Sequence, residues 1–116
     1  MFELISPFQI GAEHIDQYGH ANYKAVAGML EPYQDRLIAS RGLSFESIER
    51  DYGLRSFVKK LEIVWSGELK EGDVCAVSTS LSLGTTSMAF NQLVLKGGKT
   101  VVSLAMVVAM VNENAE

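Results

Sequence analysis

The stretch Glu13-His14-Ile15-Asp16-Gln17-Tyr18-Gly19-His20-Ala21-Asn22-Tyr23 gathers the residue types best suited to chemistry. Both histidines of the chain fall within it, with a carboxylate between them. It ends where a helix is expected to begin. A helix N-terminus carries unpaired N–H groups and the positive end of a dipole. Such amides can stabilise an oxyanion forming on a carbonyl substrate. A carboxylate held beside them, here Asp16, can act as general base or nucleophile. Each residue also has a plainer reading. Asp16 suits an Asx turn, Gly19 a positive-φ hinge and Asn22 a helix cap. His14, Asp16 and His20 could together ligate a metal, but no further Cys or His stands ready to complete the set beyond the lone Cys75. A serine nucleophile has no support, because no G-x-S-x-G occurs. Glu31 reads most simply as a solvated carboxylate on the helix, and Cys75 as a core residue.

The elements that must position these groups follow from periodicity. Phe2, Leu4, Phe8 and Ile10 share one parity, a strand alternation interrupted at Pro7 as suits a sheet edge or a bend. After Asn22, the residues Tyr23, Val26, Ala27, Leu30, Tyr33, Leu37 and Ile38 recur at helical spacing and draw one apolar face. Pro32 removes a bond to the Gly28 carbonyl, so a kink or irregularity is expected there. Gly42 stops the helix, and Ser44 caps a short second one running to Gly53. Residues 57–65 alternate as a strand, with Phe57, Lys59, Leu61, Ile63 and Trp65 on one face. Glu71-Gly72-Asp73 is a turn. Strands follow from Cys75 to Leu83 and over 86–96, and Gly97-Gly98 marks a two-residue hairpin. The apolar run Val101–Val111 reads as a central strand covered on both faces. The order is strand, long helix, short helix, then four antiparallel strands. The helix stripe must be buried, and the sheet is the only large surface available. The class is therefore α+β, a sheet wrapped around one long helix, with apolar faces and edges that favour a second copy.

The chain's 116 residues suit a single domain over 1–116. Hydrophobic residues at 47% and charged ones at 21% describe a packed globule. A net charge of −4 argues against a nucleic-acid partner. One cysteine excludes an internal disulfide framework and a multi-cysteine zinc site, and suits a reducing compartment. MFELISPFQIG lacks the basic and apolar regions of a signal peptide, and no apolar run reaches the ~20 residues of a membrane helix. A cytoplasmic protein without membrane contact is expected.

Asp16-x-x-Gly19-His20-Ala21-Asn22-Tyr23, with Glu31 fifteen residues after the aspartate, resembles the D-x-x-G-H-[VA]-N-[NY]…E signature of hotdog-fold acyl-CoA thioesterases of the 4-hydroxybenzoyl-CoA thioesterase-like type. The resemblance covers essentially the whole chain. FVKKLEIVWSGELKEGD matches that family's second strand and the turn after it, with Gly67-Glu68-Leu69 in place of a proline step. The closing GGKTVVSLAM hairpin fits its last strands. The resemblance implies that Asp16 is nucleophile or base and that the Tyr23 N–H is the oxyanion donor. Gly19 allows close approach of the acyl group, and His20 and Asn22 orient or contact the leaving group. It implies an acyl-CoA or acyl-carrier substrate, no cofactor besides the CoA carried by the substrate, and a homodimer or homotetramer with the site between subunits. Arg55, Val58, Lys59 and Lys60 are candidates for the substrate path. The two lysines are equally explained as solvated edge residues, and Lys96 and Lys99 as solubilising ones. Val26, Met29, Leu30 and Phe57 are candidates for an acyl tunnel, or for ordinary core. Val26, Gly28, Pro32 and Gln34 depart from the family's helix. Those departures support an alternative, a dimeric hotdog protein that binds an acyl or aromatic ligand without turnover. A hotdog dehydratase is disfavoured, since neither G-H-F-P nor D-x-N-P-x-H occurs.

Overall fold

The computed structural model describes residues 2–19 and 21–112. His20 lies outside the described residues. The elements run β1 (Phe2–Gln9), α1 (Tyr23–Ala39), α2 (Phe45–Tyr52), β2 (Leu54–Trp65), β3 (Val74–Leu83), β4 (Ser87–Lys96) and β5 (Lys99–Asn112). The strands form one antiparallel sheet in the order β1-β3-β4-β5-β2. The expected element order and class are those observed.

Local chemistry explains the boundaries. Asn22 Oδ1 accepts from the Ala25 N–H at 3.0 Å and opens α1. Ser44 and Ser47 cap α2 reciprocally, each accepting the other's backbone N–H. Gly97 and Gly98 have φ of 59° and 79°, the double positive-φ turn that a tight hairpin needs. β1 lies at the sheet edge, where a proline is tolerated.

α1 lays Val26, Met29, Leu30, Tyr33, Leu37 and Ile38 on the sheet. The first four pack with Val77, Val94, Val102 and Leu104 in one cluster, which Leu69 and Cys75 complete. Leu37 and Ile38 join Leu81, Met88, Phe90 and Val108 in a second. Burial of this stripe at roughly 1.5–3 kcal/mol per large side chain is what holds the helix in place.

Three expectations are corrected. α1 runs unbroken through Pro32. Gly28 and Pro32 both face outward, and the carbonyl that Pro32 leaves unbonded opens to water. β5 is not covered on both faces: Ala105, Val107, Ala109 and Val111 are only half-buried, because no element among the described residues packs on the outer side of the sheet there. The alternation of β2 is broken by a bulge between Val58 and Lys60. Val58 pairs with Val108 and Leu61 with Met106, so Val58 joins Leu61, Ile63 and Trp65 on the helix side. Phe57 falls on the other parity, and Lys59 has no register partner.

Candidate active site

The loop before α1 is built from short bonds. The Gly11 N–H donates to His14 Nδ1 at 3.0 Å, and Phe8 packs on the His14 ring at a centroid distance of 5.2 Å. The Tyr18 N–H donates to Asp16 Oδ1 at 2.9 Å, and the Gly19 N–H to the Asp16 carbonyl at 3.0 Å. Asp16 thus makes an Asx turn, and Gly19 takes φ 80° to close it. An antiparallel bridge pairs Ile15 with Ala21 across this loop. It returns the chain on itself and holds Asp16 near the opening of α1.

That loop is tied to the turn before β3. The Ala21 N–H donates to the Leu69 carbonyl at 3.0 Å, and Ile10 exchanges backbone bonds with the 72–73 turn. Lys96 Nζ clamps this turn, donating to the Glu68 carbonyl at 2.9 Å and to Asp73 Oδ2 at 3.1 Å. Lys96 therefore has a structural task that its sequence position did not announce. The Lys70 N–H, and after it the Lys96 ammonium, hold the Asp73 carboxyl below its ordinary range despite partial burial.

At the helix opening, the Ala25 N–H goes to the Asn22 side chain and the Val26 N–H to the Asn22 carbonyl. The Tyr23 and Lys24 amides meet no acceptor among the described residues. The Tyr23 side chain is 63% exposed. Two donors without an acceptor among the described residues thus open a helix end that favours negative charge, directly after the loop that carries Asp16.

A cleft of about 370 Å³ opens further along the same helix. Ala27, Glu31, Gln34 and Asp35 form its α1 wall. Phe45, Ser56, Phe57, Val58 and Leu61 line it from α2 and β2, and Leu104, Met106 and Val108 form its floor. Of the expected tunnel residues Phe57 lines it, whereas Val26, Met29 and Leu30 are core. Asp16, Asn22 and Tyr23 are not among its lining residues. The carboxylates at the cleft are Glu31 and Asp35, four residues apart and so on one helix face. Sequence reasoning missed this polar wall. Its signal was faint, three polar residues beside an apolar stripe, which a solvated face shows equally well.

Gln34 and Gln92 are both buried and bonded to each other. Gln34 Nε2 donates to Gln92 Oε1 at 2.7 Å. Gln92 Nε2 donates to the Leu30 carbonyl at 3.0 Å and to Thr79 Oγ1 at 3.1 Å.

Of the candidate residues for a CoA moiety, Arg55 lies within 3.7 Å of Glu49, and Lys59 and Lys60 are exposed on β2. Among the described residues no His, Cys, Asp and Glu cluster could hold a metal ion. Cys75 is buried, and its thiol is pushed up by that burial. No helix of the described residues is long and apolar enough to cross a membrane.

This architecture, a five-stranded antiparallel sheet wrapped around one long helix, is the hotdog fold. The chain superposes with a TM-score of 0.85 on a 1,4-dihydroxy-2-naphthoyl-CoA thioesterase from Synechocystis, at 10% identity over 96% of this chain and 83% of that one. A probable thioesterase from Bartonella henselae matches at 0.81, with 17% identity over 98% of this chain and 95% of that one. A hypothetical protein from Staphylococcus aureus, solved in complex with CoA, matches at 0.81, with 17% identity over 97% and 73% of the two chains. No family model matches the sequence, and no curated protein matches it. At these identities the likeness is one of fold.

Proposed function

We propose that this chain hydrolyses the thioester of an acyl-CoA, or of an acyl group on a carrier protein, to free acid and thiol. What supports the reading is that the Ile15–Ala21 bridge folds the Asp16 loop back toward the residues opening α1, where the Tyr23 and Lys24 amides meet no acceptor among the described residues. The substrate carbonyl oxygen accepts from the Tyr23 N–H. Asp16 then attacks the carbonyl carbon, the C–S bond breaks, and the thiolate leaves with a proton from water. Water hydrolyses the resulting anhydride and restores the carboxylate. Alternatively, Asp16 takes a proton from a water that attacks the same carbon. A thioester carbonyl is electrophilic and a thiolate leaves readily, so no full triad is needed. His20 and Asn22 orient the site, with Asn22 acting through its cap bond. Arg55, Lys59 and Lys60 meet the CoA phosphates of this acidic protein. Neighbours that are named as CoA thioesterases, or were solved with CoA, support the same substrate class.

The working unit is a homodimer formed along the free edge of β2. That strand exposes Phe57, Val58, Leu61, Val64 and Trp65, at 38–54% each, on both of its faces. A second copy pairing there would cover this surface and close the cleft's open side.

One observation favours a second reading of the carboxylate. Glu31 lines the cleft and Asp16 does not, so Glu31 is the competing base. A panel of acyl-CoAs followed with a thiol reagent tests hydrolysis, and Asp16→Asn and Glu31→Gln separate the two carboxylates. Tight acyl-CoA binding with no thiol release over hours would instead favour the ligand-binding alternative.

A further inference from the structure

The buried glutamine pair has a fixed polarity, and Gln34, at one end of it, lines the cleft. The Leu30 carbonyl can only accept, so Gln92 must turn its Nε2 toward Leu30 and its Oε1 toward Gln34. Gln34 must then present its Nε2 to Gln92. Its own Oε1 is left as an acceptor, on a residue only 6% exposed that lines the cleft. Glu31 and Asp35 on the same wall are acceptors as well, and both carry negative charge. The opposite wall and floor are largely apolar.

We propose that Gln34, positioned by Gln92, is a specificity residue that selects an acyl group carrying a hydrogen-bond donor far from its thioester. The proposal rests on the thioesterase reading for its ruler. Gln34 follows Tyr23 by eleven residues, about 16 Å along the helix axis, less the lean of the side chain toward the N-terminus. An extended chain advances roughly 1.2 Å per bond, so a hydroxyl on about the eighth to twelfth carbon would reach Gln34. A hydroxyl there satisfies Gln34 Oε1. A plain alkyl end strips water from that oxygen and gives nothing back. A terminal carboxylate meets three acceptors, two of them charged, and is repelled.

The test compares 10-hydroxydecanoyl-CoA, decanoyl-CoA, the 10-carboxyl analogue and the short hydroxybenzoyl-CoA, by thiol release and by calorimetric binding. The hydroxylated thioester is expected to have the highest kcat/KM, by about tenfold or more over decanoyl, and the carboxylated one the lowest. Gln34→Met should bring the hydroxy-to-plain ratio toward one, and Gln92→Met should do the same through the loss of its hold on Gln34. Gln34→Met/Gln92→Met removes both partners of the buried bond together and so guards against a fold left with an orphaned amide. Melting curves verify each variant. A ratio near one in the wild type, or a preference that survives all three variants, overturns the proposal while hydrolysis stands. A preference confined to short hydroxyaryl thioesters overturns the ruler and with it the proposal. Absence of thiol release, with a binding preference that the Gln34 variants abolish, overturns the hydrolysis reading and supports the selectivity.

Discussion

Asn22→Ala removes the side-chain oxygen that accepts from the Ala25 N–H at 3.0 Å. A lost cap of this kind costs about 1 kcal/mol. With an unfolding entropy of about 2.1 cal/mol/K per residue, a chain of this length should melt about 4 °C lower. The functional effect follows from the same bond. The cap fixes the first turn of α1 and so the direction of the Tyr23 and Lys24 amides. Those amides serve the transition state more than the ground state, so kcat should fall roughly tenfold with KM little changed. Asn22→Ser retains a capping oxygen without adding charge, and should stay close to wild type in both melting and turnover. Thermal unfolding and initial rates on one acyl-CoA measure the pair. If the serine variant melts like wild type but loses turnover as the alanine variant does, the side chain touches substrate directly and the capping argument is refuted.

Asp73 holds the turn that supports the site loop, and its lowered carboxyl makes that support acid-sensitive. A group whose folded pKa is depressed contributes fully above its unfolded value of about 4 and loses that contribution as pH falls through the folded value. Urea unfolding between about pH 5 and pH 2 should therefore show a flatter acid limb for Asp73→Asn than for wild type; parallel limbs would contradict this. Val64→Lys sets a charge on the exposed β2 edge and should shift the protein from dimer to folded monomer in light scattering, with turnover falling at the same time. A wild-type protein that is already monomeric and fully active would remove the role given to that edge.

Much of the fold was legible because its signals are local. Asn22 and Ser44 are capping types at helix starts, and Gly97-Gly98 suits only a tight hairpin. Pro7 suited either an edge or a bend, and β1 is an edge strand. The bulge near Lys59 had no such mark, since FVKKLEIVW alternates without Gly or Pro, and the register depends on what β5 offers across the ladder. The part of the site within one loop was readable for the same reason, because Asp16, Gly19, Asn22 and Tyr23 are neighbours in sequence. The cleft was not. Glu31, Gln34 and Asp35 acquire a common purpose only when Ser56, Val58 and Met106 arrive opposite them, and Gln92 is separated from Gln34 by the whole α2–β3 excursion. Lys96 was hidden similarly, as its partners Glu68 and Asp73 come from a distant turn.

The most direct test of the account is the initial rate of thiol release from a saturating acyl-CoA by purified Asp16→Asn, alongside wild type and Glu31→Gln. The asparagine keeps an oxygen for the Tyr18 N–H, so the turn should survive and the circular dichroism spectrum should match. Asp16→Asn should lose at least about 10³ in kcat, and Glu31→Gln should change far less. Undiminished thiol release by a folded Asp16→Asn protein, with turnover abolished in Glu31→Gln, would contradict it and move the chemistry to the cleft.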